Sequence, residues 1–473
     1  MSARRAQDSP LLSAGRIGCT LAAFPDLTLL HQLRPERYPH LLESVAHGAA
    51  QARYDILFAF PQQTLALTAA DLLTGNGGDH GRGDFLEAFE RDWRREAARV
   101  GAAGGDELPF TGGWFVFLGY ETAAQIEPRL AGIARDPTLP VACATRFPAA
   151  IIRDHARRLT HLVCEPGGAR EWLAPMQADL RALRALRAPP AAPPPAAAEI
   201  AEDEPADFIR GVERVQEYIA AGDVYQVNLS RAWRARLRAP ADAADLYRRL
   251  RAANPAPFAG LMTFPGGRAV ISSSPERLVE VRAGTARTRP IAGTYPRSAD
   301  PVRDQALARA LLLHPKERAE HVMLIDLERN DLGRICRTGT VTAAEFMTLE
   351  SYRHVHHIVS EVHGELRPGI TPAQVLRAVF PGGTITGCPK LRCMQIIAEL
   401  ERGPRGAYTG SMGYINHDGS MDLNILIRTL VQNGDEVSLR AGAGIVADSV
   451  PQRELEETRA KARGLLAALG IAA

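Results

Sequence analysis

Short apolar runs broken by turn residues fill the first part of the chain. Ile56-Leu57-Phe58-Ala59-Phe60 and Trp114-Phe115-Val116-Phe117-Leu118 predict strands. Residues 84–100 place Phe85, Phe89 and Trp93 four apart, which predicts a helix. Further on, Asp207 can cap a helix that carries Phe208, Val212, Val215 and Ile219 on one face and ends at Gly222. A strand from Val224 to Leu229 follows. Hairpin-like runs span 269–282, with Ala283-Gly284 as a turn, and Asp418-Gly419 and Asn433-Gly434 mark two more hairpins. Residues 453–469 read as a final helix. Antiparallel strands mixed with helices predict an α+β fold, and no repeat of fixed period is present.

The clearest boundary is compositional. Residues 188–206 (APPAAPPPAAAEIAEDEPA) are rich in proline and alanine and read as a linker. It divides the chain into an N-terminal companion region, 1–187, and a second region, 207–473. Lysine plus arginine number 56 against 54 aspartate plus glutamate, a net charge of +2. That balance offers no electrostatic footprint for nucleic acid. The six cysteines (Cys19, Cys143, Cys164, Cys336, Cys388 and Cys393) form no C-x-x-C pair, so neither a disulfide scaffold nor a zinc knuckle is expected. No apolar run is long enough to span a bilayer, and Ser13, Gly15 and Arg16 interrupt the N-terminal one. A cytoplasmic protein is the expectation.

Candidate chemistry is concentrated after residue 206. In PKERAEHVMLIDLERND (315–331), Glu317 and Glu320 stand at i, i+3 on one helix face; in RELEETRAKA (453–462), Glu454 and Glu457 do the same. Two such faces could converge as hard oxygen ligands for Mg²⁺. Solvated faces with salt bridges such as Glu457 to Lys461 satisfy the same spacing. PGGTITG (381–387) and AGAG (441–444) expose backbone N–H groups that can hold an anion, or are tight turns. The first leads into a helix from about Pro389 to Leu400. It lacks the spacing of a phosphate loop. Glu276, just past an apolar strand, can act as a general acid if burial raises its pKa. His354 and His356 share one face of a strand and His357 the other, which argues against a single three-histidine metal site. No G-x-S-x-G, no G-x-C-x-G and no G-x-G-x-x-G after a strand is present, which disfavours an elbow hydrolase, a built-in cysteine glutaminase and a dinucleotide cofactor.

Taken in order, nine stretches resemble the chorismate-utilising enzymes: GDVYQVNLS (222–230), SPERL (274–278), RPIAGTYPR (289–297), KERAEHVMLIDLERNDLGR (316–334), HVHHIVS (354–360), FPGGTITGCPK (380–390), MDLNILIRTL (421–430), AGAGIVADS (441–449) and RELEETRAKA. LLES (41–44) and GGWFVFLGYE (112–121) look like that family's N-terminal region, where some members hold a tryptophan molecule. The resemblance implies two face-to-face antiparallel β-sheets flanked by helices, as in anthranilate synthase component I, with 207–473 as the chorismate-binding catalytic domain. It implies Mg²⁺ held by Glu320 and Glu457, with Glu317 and Glu454 acting through water. Arg428, Tyr414 and the backbone of Gly442, Ala443 and Gly444 would meet a substrate carboxylate, with Gly383 and Thr384 also in the substrate site. Glu276 would protonate the departing C4 hydroxyl, His357 would sit near the ring, Lys461 would balance charge, and Thr294 would join the catalytic set. Leu42, Glu43 and Ser44 would form an amino-acid effector site.

Within the family, the water-adding members place a lysine where this chain has Gln226, and glutamine cannot activate water as a base. Ammonia is therefore the expected nucleophile. That leaves aminodeoxychorismate synthase component I and anthranilate synthase component I. PIAGT (290–294), with Ala292, resembles the latter and excludes a covalent lysine at that position. YQVNLS, LIDLERNDLGR, EFMTLESYRHVHHIVS and MDLNILIRTL resemble the alanine-containing aminodeoxychorismate synthases, which makes that activity the expectation. With no glutaminase of its own, the chain would take ammonia from a separate amidotransferase subunit.

Overall fold

The computed structural model describes residues 17–22, 24–46, 52–75, 78–101, 107–185, 197–351 and 355–471. Among these, the strands build two antiparallel sheets of twelve strands each. The sequence alternation sorts their faces. In Gly113–Leu118, Phe115 and Phe117 point between the sheets and share a core with Phe58, Met262, Val270 and Met412. Trp114, Val116 and Leu118 point the other way, and Trp114 meets Phe89 of the helix Phe85–Val100 edge-on at 5.7 Å. In Tyr54–Ala59, Ile56 and Phe58 face the middle, while Leu57 and Ala59 pack with Leu27, Leu30, Tyr247 and Leu250 from helices on the outer side. Each buried side chain of this size contributes roughly 1.5–3 kcal/mol. The result is the α+β sandwich with flanking helices. No helix among the described residues is long and apolar enough to cross a membrane.

The proposed linker is corrected in part. Residues 188–196 lie outside the described residues. Ala197–Glu202, however, is a strand on the edge of the first sheet, paired with Gln226–Leu237. It is mostly exposed, with Ile200 44% accessible, so the chain there shows no apolar pattern. The next helix, Pro205–Ala220, starts with Pro205 in its first turn and Glu204 as its cap. Asp207 therefore sits inside the first turn, and Gly222 follows the end at φ +82°. Nor does 188–206 separate the sheets. His40–Glu43 pairs with Phe258–Phe264 in one, and Gly113–Leu118 with Ser411–Asn416 in the other.

The run 269–282 is also corrected. Arg268–Ser274 lies in the first sheet and Arg277–Arg282 in the second, so Pro275 and Glu276 cross between them. The chain crosses back at 425–428, between Met421–Asn424 and Thr429–Asn433. The two crossings are joined. Ser273 N–H donates to the Arg428 carbonyl at 3.0 Å, Ile425 N–H to the Glu276 carbonyl at 3.0 Å, and Ser274 Oγ to the Ile425 carbonyl at 2.5 Å. The turns at Ala283-Gly284, Gly419 and Gly434 occupy the left-handed region their hairpins need.

A buried ion cluster braces the region beside the crossings. Glu401 accepts from Arg405 Nη2 at 2.6 Å and Nε at 3.0 Å, from Arg440 Nη2 at 2.9 Å and from Ser230 N at 2.8 Å. Arg405 also donates to the carbonyls of Ile385 and Asn228. The two arginines hold the Glu401 carboxyl below the usual glutamate range despite its burial. Glu401→Gln leaves two buried cations with half their partner. It is expected to cost about 3–5 kcal/mol in urea denaturation. In the unchanged protein, stability drawn from Glu401 is fully present above the ordinary glutamate pKa and is lost as pH falls through the lowered one.

Candidate active site

The two crossings bring Glu276 and Arg428 to one place, and three further elements add to it. Glu276 is 5% exposed, and its Oε1 has no hydrogen-bond partner. Burial pushes its carboxyl up to about 7, against the opposing influence of the Thr384 hydroxyl and of Lys461. Thr384 comes from the loop ahead of the helix Lys390–Leu400, and its hydroxyl is likewise buried without a partner. Gly383 in that loop packs closely on Leu327: a β-carbon would lie 2.4 Å from its Cδ2 and would force that side chain to move.

Arg428 holds a left-handed backbone, φ +52°, and makes no ion pair among the described residues. Burial lowers its pKa, while Tyr408 and Glu457 oppose the drop. Tyr408, rather than Tyr414, is the tyrosine here: its hydroxyl would lie 2.8 Å from a β-carbon at Gly442. Tyr414 is placed elsewhere, in a strand whose side chain meets Phe110 and lines a separate cavity. Tyr408 lies in a turn before Ser411–Asn416, where no periodicity marks it.

Strand Glu436–Ile445 presents Gly442 and Gly444 toward the site, whereas the Ala443 methyl packs in the apolar core and leaves only its backbone available. A β-carbon at Gly444 would lie 2.3 Å from Gln226 Nε2. Gln226 Nε2 donates to Glu320 at 2.9 Å, and its Oε1 is buried without a partner. Lys461 donates to the Gly442 carbonyl at 2.9 Å and pairs with Glu457 at 2.7 Å.

The helices Pro315–Gly333 and Pro451–Ala468 carry the four predicted carboxylates, which lie near enough to influence one another's charge. Burial pushes Glu320 up to about 7, with Glu317 and Glu457 adding to the rise. Burial also raises Glu317 and Glu454, and Glu457 repels both. Among the described residues, no three His, Cys, Asp or Glu side chains stand as close as ligands of one ion. Mutually repelling carboxylates, offset by His314 at Glu317, by Gln226 at Glu320 and by Ser449 at Glu454, with Lys316 and Lys461 adding less, are a donor set that suits a hard dication.

His357 is neutral at ordinary pH, because burial lowers its pKa to about 4. Its Nδ1 donates to the Gly293 carbonyl at 3.2 Å, which leaves Nε2 as the acceptor nitrogen. His356 instead bridges Asp304 and Ser351 and is part of the frame. His354 and the Thr294 side chain lie outside the described residues; the Thr294 backbone pairs with that of His357.

A separate cavity, about 390 Å³, is lined by Leu42, Glu43, Ser44, Arg277, Tyr414 and Asp422 among others. Arg251 Nη1 donates to both Glu43 oxygens at 3.1 and 2.8 Å.

A buried arginine without an ion pair, glycine backbone and an acidic cluster suit a substrate with several carboxylates. A family model described as chorismate binding enzyme matches residues 50–467. The chain belongs to the chorismate-binding enzyme family. It is 40% identical over 450 residues to anthranilate synthase component 1 of Streptomyces coelicolor, covering 92% of this chain and 84% of that one. It is 37% identical over 458 residues to aminodeoxychorismate synthase component 1 of Bacillus subtilis, covering 94% of each. A crystal structure of anthranilate synthase component I from Streptococcus pneumoniae superposes with a TM-score of 0.75 at 33% identity, over 88% of this chain and 93% of that one. In this chorismate-binding enzyme, Gly444→Ala forces Gln226 away from Glu320. Chorismate turnover is expected to fall on the order of a hundredfold in a steady-state assay, while the unfolding temperature holds within a few degrees.

Proposed function

We propose that this chorismate-binding enzyme is component I of an aminodeoxychorismate synthase. It joins ammonia to chorismate and releases the C4 hydroxyl as water, giving 4-amino-4-deoxychorismate for 4-aminobenzoate and folate synthesis in the cytoplasm. The observation that carries the reading is Gln226, an amide that offers water no base and that donates to Glu320 at 2.9 Å; the acid of the same site is Glu276, a buried carboxyl pushed up to about 7. Its proton goes to the departing hydroxyl as the C4–O bond breaks. Ammonia attacks C2 first or C4 directly, since Ala292 offers no nucleophile. Gln226 is no base for water, and its bond to Glu320 keeps its amide turned to the acidic face.

Arg428, Tyr408 and the backbone of Gly442 and Gly444 orient the enolpyruvyl carboxylate. His357 Nε2 faces the ring as a neutral acceptor, with Thr294 beside it on the neighbouring strand. Lys461 keeps the acidic face from becoming too negative. Glu320 and Glu457 would hold Mg²⁺, with Glu317 and Glu454 acting through water. Held there, it would supply Lewis-acid neutralisation of a substrate carboxylate. Relatives named as a component 1 support a second subunit, a glutaminase that supplies the ammonia.

A second reading, anthranilate synthase component I, is favoured by Ala292 and by the anthranilate synthases among the relatives. The cavity at Leu42, Glu43 and Ser44 then takes an amino-acid effector such as tryptophan. One product assay separates the two. The chain is incubated with chorismate, Mg²⁺ and ammonium, with and without a 4-amino-4-deoxychorismate lyase. The expected product is 4-aminobenzoate that depends on the lyase; anthranilate and pyruvate without lyase, inhibited by tryptophan, would establish the second reading. With free ammonia held constant, kcat/KM is expected to fall as pH rises through about 7, where Glu276 loses its proton. Glu276→Gln is expected to lower kcat by roughly a hundredfold to ten-thousandfold.

A further inference from the structure

Strand Gln226–Leu237 carries two amides on one face, Gln226 and Asn228, because alternate residues of a strand point the same way. Asn228 has no part in the chemistry above. It is 9% exposed, and its Oδ1 is buried without a hydrogen-bond partner. Its backbone is engaged: the N–H donates to the Thr386 carbonyl at 3.0 Å, and the carbonyl accepts from Arg405 Nη2 at 2.7 Å. The side-chain oxygen borders a space that Gly442 leaves open. A β-carbon on Gly442 would stand 2.8 Å from Asn228 Oδ1 and 2.8 Å from the Tyr408 hydroxyl, so the two oxygens face one small gap. Gln226 Oε1 is buried without a partner as well, while its Nε2 is committed to Glu320. A buried acceptor left without a donor is costly. Two of them on one strand face point to a ligand that brings hydrogen-bond donors.

We propose that Asn228 receives the ammonia: its Oδ1 accepts an N–H of the nucleophile in the gap beside Gly442 and Tyr408. The proposal rests on ammonia as the nucleophile and on Tyr408 and Gly442 as the seat of the enolpyruvyl carboxylate. Chorismate itself does not fill this role. Its carboxylates and ether oxygen are acceptors, which an amide oxygen repels, and its one hydroxyl is the group that Glu276 protonates. Position agrees with chemistry. The enolpyruvyl arm is borne on C3, between C2 and C4. A nucleophile held beside the carboxylate of that arm is therefore close to either carbon it can attack. Ammonia has three N–H donors and one lone pair. An N–H given to Asn228 leaves the lone pair free for the ring, whereas a donor in the same place would occupy it. An amide oxygen takes no proton, so a water molecule in the gap is held but not activated.

The test measures initial rates for the wild type and Asn228→Leu, a variant that keeps the branched shape and removes the oxygen. Ammonium chloride is varied at saturating chorismate and Mg²⁺, then chorismate at saturating ammonium. The expected result is a roughly tenfold rise in the KM for ammonia, with the KM for chorismate unchanged within about twofold. Because the oxygen has no partner in the free protein, the unfolding temperature of Asn228→Leu is expected to hold or rise, where loss of a structural amide would lower it. An unchanged KM for ammonia overturns the proposal. A comparable rise in the KM for chorismate also overturns it, and would put Asn228 on the substrate carboxylate. Should Asn228→Leu fail to fold, Asn228→Ser withdraws the oxygen from the gap and serves the same comparison. The parent reading is tested separately, in the wild type alone. Chorismate turned over at the same rate without ammonium, giving a hydroxylated product, would end ammonia as the nucleophile. Wild-type release of either amino product, 4-amino-4-deoxychorismate or anthranilate, upholds ammonia, and the KM comparison then decides on Asn228.

Discussion

The structure depends on one constraint: the chain passes between two sheets at two neighbouring places, and the passages are hydrogen-bonded to each other. Ser273, Ser274, Glu276, Ile425 and Arg428 supply those bonds. A residue at such a passage belongs to neither sheet, so its side chain is left in the space beside both. That is how an acid and an arginine 152 positions apart in the sequence (428 − 276) share one site. The cost is paid in backbone geometry, since Arg428 adopts a left-handed conformation that most side chains avoid. The Glu401 cluster stiffens the same neighbourhood by tying the glycine loop, the strand of Gln226 and the strand of Gly442 to one carboxylate.

Charge explains why so many ionisable groups can be gathered there. The whole chain sums to +2, but the site collects Glu276, Glu317, Glu320, Glu454 and Glu457 against Arg428 and Lys461. Burial keeps several of these acids protonated near neutral pH, which limits their mutual repulsion.

Much of this was legible in the sequence. The apolar runs in Gly113–Leu118 and Tyr54–Ala59 marked strands, the family resemblance implied the sandwich, and the i, i+3 spacing marked the acidic helix faces. What escaped reading has a common physical cause. Ala197–Glu202 is an exposed edge strand and carries no apolar signal. Tyr408 lies just before the strand Ser411–Asn416 and Tyr414 within it, and only the path of the chain decides which one meets Arg428.

The interleaving of early and late strands has a consequence for how the polypeptide comes into being. His40–Glu43 must wait for Phe258–Phe264, and Gly113–Leu118 for Ser411–Asn416. During synthesis from the N-terminus, both early strands therefore emerge with an open edge and a greasy face. At about 5–20 residues per second, the second of them stays unsatisfied for tens of seconds. The growing chain thus carries an unpaired strand edge through that interval, and the edge closes only when the late strands arrive.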